Sequence, residues 1–415
     1  MAERTIVIVG AGLGAARAAV NLRKEGFDGR IVMFADEAEP PYERPPLSKD
    51  YLRGSTDREA VRVKPADAWA ADGIELELET PVEAVDLHAR QVVTAGGRRW
   101  GFWRLLLATG SEARSLAVPG ADLPGVFTLR TFDQADAIRA AALAAGEAAV
   151  IGGGWIGAEV TASLRQLDVV VTLVMSRSLP LERVLGPEIG GVYRDLHLAH
   201  GVRIVSEARV EAIMGEGAAA GVRLADGSIV TAPVVVTGVG VRPRDELARA
   251  AGLTVDDGVE VDELLRTSDP DVFAIGDVAS AWHPLLKARV RVEHWDTARR
   301  HGIAVARSLL DRGAPYRKAP YFYSDQYDLD MEYVGHPSRW DQLIFRGAIE
   351  SGTFCAFWLD GAKIVAGLNA RVPGVSPVIA KLIEAETEVD PLALADPERP
   401  LDSLLPSVPD GKEST

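Results

Sequence analysis

The chain has 415 residues, too many for one hydrophobic core, so two or three domains are expected. With 47% hydrophobic and 25% charged residues it has an ordinary globular composition, and its net charge of −15 argues against non-specific nucleic-acid binding or an anionic membrane surface. The chain opens Met-Ala-Glu-Arg-Thr and enters a strand at once, leaving no room for a signal peptide. The most apolar stretch, 137–160, is interrupted by Arg139, Glu147, Glu159 and a glycine cluster, so no membrane span is expected and the cytoplasm is the expected compartment.

In chain order, the run Ile6-Val7-Ile8-Val9 leads into Gly10-Ala11-Gly12-Leu13-Gly14-Ala15, a G-x-G-x-x-A fingerprint opening an Ala-rich helix. Glycines in this pattern let the backbone turn sharply and approach a pyrophosphate, whose charge then sits at a helix N-terminus. The next strand, Arg30–Phe34, ends at Ala35-Asp36-Glu37. A carboxylate here accepts hydrogen bonds from a ribose diol, and Asp36 is preferred, with Glu37 able to share the task. A Pro-rich segment follows, Pro40-Pro41-Tyr42-Glu43-Arg44-Pro45-Pro46-Leu47-Ser48-Lys49, then sheet-like runs near 74–78 and 91–94. Arg104-Leu105-Leu106-Leu107-Ala108-Thr109-Gly110 reads as a buried strand closed by a small-residue turn.

After Pro119-Gly120 and Pro124-Gly125 a second unit begins. Ala148-Ala149-Val150-Ile151 leads into Gly152-Gly153-Gly154-Trp155-Ile156-Gly157, with a further strand to Val174 and another at Val234-Val235-Val236-Thr237-Gly238. Two fingerprints in successive α/β units imply two dinucleotides in one protein, the arrangement needed to pass a hydride between cofactors. Beyond Arg242-Pro243-Arg244, the run Asp271-Val272-Phe273-Ala274-Ile275-Gly276-Asp277 closes on a carboxylate suited to the ribityl hydroxyls of a flavin. A C-terminal region from about Ala319 shows strands near 321–323, 342–346, 353–359 and 363–368 and a helix over 378–386. The tail, 406–415, reads as disordered.

Cys355 is the only cysteine, which excludes an intramolecular disulfide, a redox dithiol and a Cys-x-x-Cys metal site. Its alternating setting, Thr353-Phe354-Cys355-Ala356-Phe357, reads as buried core, and no metal is expected.

These motifs in this order, joined by Glu293-His294-Trp295 and Ser324-Asp325-Gln326-Tyr327, resemble the FAD-dependent NAD(P)H–ferredoxin reductases of bacterial cytochrome P450 and aromatic dioxygenase systems. The resemblance covers nearly the whole chain. It implies an α/β fold like that of glutathione reductase: a discontinuous FAD domain (1–112 and 242–318), an NAD(P)H domain (113–241) and a C-terminal α+β domain (319–405). FAD contacts are expected at Gly10, Gly12, Gly14, Ala15, Asp36, Arg44, Lys49, Val82, Thr109, Arg130, Asp277 and Trp295. The nicotinamide coenzyme is expected at Gly152, Gly154, Ile156, Gly157, Ser176, Arg177 and Gly238. Lys49 and Glu159 would form a charged pair beside flavin N5, the catalytic pair of this reading. The implied activity is hydride transfer from NADH or NADPH to FAD, then single-electron transfer to a [2Fe-2S] ferredoxin serving a P450 or Rieske-type oxygenase. The alternatives are a reductase of a quinone, ascorbate radical or rubredoxin, and an NADH-sensing flavoprotein like apoptosis-inducing factor.

The chain departs from the family pattern twice. Tyr323 stands before Ser324 where the family carries Trp, and Met175 stands where an acid is expected at the end of the second nicotinamide-unit strand. Without that acid NADPH is expected to be accepted, with Ser176 and Arg177 as donors to its 2′-phosphate. The stretch 282–318 is rich in cations, and Arg289, Arg299, Arg300 and Arg317 are the first candidates for docking an acidic ferredoxin.

Overall fold

The computed structural model describes residues 4–406, so most of the tail expected to be disordered lies outside the described residues. It falls into two compact units, one ending at Tyr316 and one starting at Arg317. The first unit is built on two parallel sheets. In one, the strand order is Val272–Ala274, Arg104–Leu107, Thr5–Val9, Arg30–Phe34, Ile74–Glu77. In the other it is Arg203–Val205, Val170–Val174, Glu147–Ile151, Val235–Thr237, Val126–Thr128. The second sheet lies in the chain between the fourth and fifth strands of the first. Parallel strands covered on both faces read as continuous apolar runs, and Ile6, Val7, Ile8, Leu105 and Leu106 are fully buried accordingly.

Both sheets share one topological event. From Thr5–Val9 in one sheet and Glu147–Ile151 in the other, the chain adds two strands to one side and then crosses to the other side of that strand; in the second sheet the edge strand Val126–Thr128 comes earlier in the chain. At that crossing the strand ends diverge and leave a crevice at their carboxyl ends, the general site for ligands in open α/β sheets. Smaller antiparallel meanders decorate the sheets: Val82–Asp86 with Gln91–Thr94 and Arg99–Gly101, and Val210–Met214 with Gly221–Leu224 and Ile229–Thr231.

Helix Leu13–Lys24 crosses helix Trp295–Ser308 closely, because glycine faces glycine: a Cβ on Gly302 would run into the Gly14 carbonyl oxygen. In the same unit buried His301 accepts the Gly276 N–H through Nδ1 at 3.4 Å, and burial keeps its imidazole neutral, with a pKa pushed down to about 3.

The second unit is a five-stranded antiparallel sheet in the order Tyr321–Gln326, Leu329–Gly335, Lys363–Ala370, Thr353–Asp360, Gln342–Ala348. Helix Ser376–Glu384 lies against it, with Ile379 filling the space above Gly367. The helix starts two residues before the sequence expectation, with Pro377 in its first turn, and stops at Glu384. The segment 329–335, not foreseen as a strand, is the second strand of this sheet, paired on both sides. Cys355 is 2% exposed in it, and burial raises its thiol to about 11, so the sulfur stays protonated and unreactive. Among the described residues no helix is long and apolar enough to cross a membrane.

Candidate active site

At the first crossing, a Cβ on Gly10 would collide with the Ala108 carbonyl oxygen, so only glycine lets these strand ends approach. Two residues on, Gly12 begins helix Leu13–Lys24 in an extended conformation (φ −77°, ψ −177°) with no side-chain cap and no acid in the first turn. A Cβ on Gly12 would meet nothing within 4 Å, so the helix N-terminus opens into free space. Gly14 and Ala15 instead serve packing: Ala15 is fully buried, and a Cβ on Gly14 would lie 3.2 Å from Ala298 O and Ile275 Cδ1.

Asp36 and Glu37, left open by the sequence, differ in their surroundings. Glu37 is committed to Arg44 and to the Tyr42 hydroxyl, each at 2.6 Å. Asp36 is 40% exposed and pairs with Arg244 at 2.8 Å. Thr109 Oγ1 donates to the Arg244 carbonyl at 2.7 Å, which anchors that arginine at the strand end. Val82 sits just beyond Thr80, whose N–H donates to Ala35 O at 2.7 Å, so it belongs to the same rim.

Asp277 gathers the opposite side of the cleft. Its Oδ2 accepts from Ser111 Oγ at 2.7 Å and Arg130 Nη2 at 3.0 Å, and Arg44 Nη1 donates to the Arg130 carbonyl. Burial alone would raise the Asp277 pKa, but the charges of Arg130 and Arg44 and the Ser111 hydrogen bond hold it below the usual carboxylate range. Arg130 Nε is buried with no hydrogen-bond partner among the described residues. Trp295, half-buried, opens helix Trp295–Ser308 nearby, with Arg299 over its ring at 5.3 Å.

An uncapped glycine-lined helix start, a half-exposed acid at the second strand end and a buried Asp–Arg pair with an unpartnered Nε fit the pyrophosphate, ribose and polyhydroxyl parts of FAD. Ser111 and Arg244 lie in segments visible in the sequence, but their roles require contacts across more than 130 residues.

The second crossing repeats the first. A Cβ on Gly152 would collide with the Gly238 carbonyl oxygen, and one on Gly157 with the Gly152 carbonyl oxygen. Helix Trp155–Gln166 starts at Gly154 (φ −81°, ψ −176°), again uncapped and open, and Ile156 is 40% exposed beside it. The strand end corrects one expectation. Met175 is buried, and a Cβ on Gly153 would lie 2.8 Å from its sulfur, so it packs beneath the glycine loop; Ser176 and Arg177 are exposed.

A buried ion pair links the Pro-rich segment to the second fingerprint helix. Lys49 Nζ is 2.8 Å from Glu159 Oε2, with side chains 9% and 4% exposed. Ser48 Oγ donates to the same carboxylate oxygen at 2.5 Å, and Ser163 Oγ donates to Ser48 O at 2.6 Å. The Pro-rich segment is thereby fixed to the second fingerprint helix.

The docking candidates are more engaged than their sequence suggests. Arg289 donates to Val261 O and Ser280 O at 2.7 and 2.8 Å, which makes it part of the fold. Arg299 and Arg300 both pair with Asp296, itself 4% exposed, at 3.4 and 2.5 Å. Arg317 is exposed and begins the second unit.

Residues 4–302 match the pyridine nucleotide-disulphide oxidoreductase family and residues 321–405 the reductase C-terminal family. Rhodocoxin reductase of Rhodococcus erythropolis is 36% identical over 94% of this chain and 92% of its own length. The ferredoxin–NAD(+) reductase component of the anthranilate 1,2-dioxygenase system of Burkholderia cepacia is 37% identical over 98% of this chain and 100% of its own. The crystal structure of the covalent putidaredoxin reductase–putidaredoxin complex matches with a TM-score of 0.94 and 34% identity, covering 97% of this chain and 98% of that one. The chain belongs to the pyridine nucleotide-disulphide oxidoreductases and, among them, to the FAD-dependent NAD(P)H–ferredoxin reductases.

Asp277 carries a first prediction. Asp277→Asn keeps the shape but loses the charge, and FAD affinity measured by reconstitution of apoprotein should fall about ten- to a hundredfold. Because its folded pKa is depressed, the carboxylate's contribution to stability is complete above the ordinary value of about 3.9 and is lost as pH falls through the lower folded value. The variant should therefore show a flatter acid limb of stability than the parent. Unchanged FAD affinity would remove Asp277 from the site.

Proposed function

We propose that this chain works in the cytoplasm, drawing electrons from NAD(P)H through FAD and delivering them singly to a [2Fe-2S] ferredoxin that feeds a P450 or Rieske-type oxygenase. The observation that carries the reading is the repeated crossing: two glycine-lined clefts in one unit, joined by the buried Lys49–Glu159 pair. The name of the relative from the anthranilate 1,2-dioxygenase system, a ferredoxin–NAD(+) reductase component, supports it. Bound in the first cleft, FAD would supply the conversion between paired and single electrons. The single buried Cys355 offers no thiol pair, so the electrons must leave by another route.

The protein's own part is positioning and electrostatics. Asp36 holds the ribose, Arg44 and Arg130 gather negative charge, and Asp277 orients hydroxyls from a fixed, ionised carboxylate. Lys49 holds a positive charge where the two clefts meet, which favours an electron-rich flavin ring. Glu159 fixes that ammonium and, with Ser48, keeps water from replacing it.

Glu159→Gln removes the carboxylate that stands 2.8 Å from the buried Lys49 ammonium. Stability should fall by about 3–5 kcal/mol, and flavin reduction by coenzyme should slow. The double variant Lys49→Met/Glu159→Leu should recover stability by chemical denaturation but not the rate. A double variant with the parent rate would show the pair to be structural only.

For the partner surface, Arg299→Gln and Arg317→Gln are the informative changes, since Arg300 still balances Asp296 when Arg299 is neutral. Each should slow ferredoxin-dependent cytochrome c reduction roughly threefold at low salt and less at 0.15 M, where the screening length is about 8 Å. Ferricyanide reduction should be unaffected. Equal loss of both activities would place these arginines outside the docking surface.

A further inference from the structure

The two crossings can be superposed residue by residue through their hydrogen bonds. Val9 pairs with Phe34 and Ile151 with Val174, and these are the last pairs of their strands. Gly10 N–H donates to Phe34 O at 2.9 Å, and Gly152 N–H donates to Val174 O at 2.8 Å. Phe34 therefore corresponds to Val174, Ala35 to Met175, Asp36 to Ser176 and Glu37 to Arg177. Where the first cleft presents a carboxylate to a ribose, the second presents a hydroxyl, followed by a guanidinium in place of a second carboxylate.

We propose that the second cleft selects a coenzyme bearing a 2′-phosphate on its adenosine ribose, with Ser176 and Arg177 as the residues that recognise that phosphate. The proposal rests on the reading of this cleft as the coenzyme site. Ser176 and Arg177 are exposed, and Arg177 makes no side-chain hydrogen bond or ion pair among the described residues. Arg183, in the first turn of helix Glu182–Ala199, is likewise exposed and makes no side-chain hydrogen bond or ion pair among the described residues. Two acids share the rim. Glu182 opens helix Glu182–Ala199 and turns back to the preceding loop: its Oε2 accepts from Ser178 Oγ at 2.7 Å and Leu179 N–H at 3.1 Å, and these bonds, with the weaker pull of the nearby Arg177 charge, hold its carboxyl below the usual range. Glu207 donates its backbone N–H to the Arg177 carbonyl at 3.0 Å, which fixes the backbone from which the guanidinium projects. A dianionic phosphate here gains a charge-assisted donor and meets no carboxylate at the Asp36-equivalent position. A plain ribose diol finds only the Ser176 hydroxyl in place of the acceptor it normally meets.

The test uses the FAD-loaded full chain titrated calorimetrically with adenosine 2′,5′-bisphosphate and with AMP, which differ only at the 2′ position. The bisphosphate should bind about ten- to a hundredfold more tightly. Arg177→Ala should remove most of that difference while changing AMP affinity little, Arg177→Lys should restore part of it, and Ser176→Asp should weaken only the bisphosphate. Equal affinities for the two probes in the parent, or an undiminished difference in Arg177→Ala, would overturn the proposal. If that happens while NADH and NADPH both still bleach the flavin, the coenzyme reading stands and only the 2′ selectivity falls. If neither probe binds and neither coenzyme bleaches the flavin, both fall together.

Discussion

Where the strand order of a parallel sheet reverses, two backbones must part within the width of one residue, and no side chain fits between them. Gly10 against the Ala108 carbonyl and Gly152 against the Gly238 carbonyl meet that constraint in the same way. Everything else in the first unit follows from it. The closeness of the strands below the crossing opens a crevice above it, each helix beyond starts with uncapped N–H groups facing that crevice, and each second strand ends on its rim. A substitution at either glycine would close a cleft from below, however favourable its lining.

The clefts are distinguished by charge. The first sets Asp36 on its rim and buries Asp277 against Arg130, so it meets hydroxyls with acceptors and a phosphate with an open helix start. The second offers on its rim the Ser176 hydroxyl and the Arg177 guanidinium, which makes no ion pair within 4 Å among the described residues. Both members of the Lys49–Glu159 pair are buried. Isolated, either charge would be expensive at this depth; together they hold the Pro-rich segment against the second fingerprint helix and keep one positive charge in place.

What could be read from the sequence was what is local. The apolar runs at 6–9, 104–107 and 148–151 and the glycine spacings name the strands and both crossings, because period and turn chemistry act within a few residues. Asp36 and Asp277 were legible as strand-end acids for the same reason. Contacts between distant segments were not. Ser111 meets Asp277 across 166 residues and Arg130 meets it across 147, and neither spacing leaves a pattern. The Lys49–Glu159 pair entered only through the family resemblance. The place of Met175 depended on strand register, which a single strand cannot reveal: one step along the backbone moves a side chain from rim to interior. Arg289 reads as a surface cation and is exposed in the fold, while its donation to Val261 O and Ser280 O is a long-range contact that leaves no sequence pattern. The meander 210–231 is hard to read because its strands are short and partly exposed, whereas the strand 329–335, seven residues with Leu329, Met331 and Tyr333 buried in alternation, carries a local pattern that the sequence reading passes over.

The central claim is that one chain holds two dinucleotides in electronic contact. The most direct measurement is an anaerobic titration of the purified yellow protein with NADPH and with NADH, followed through the flavin absorbance bands. The account predicts one FAD per chain, bleached completely by about one equivalent of coenzyme, since one hydride carries the two electrons a flavin accepts. A protein that purifies without flavin and takes up none, or one whose flavin stays oxidised under excess of both coenzymes, would contradict it.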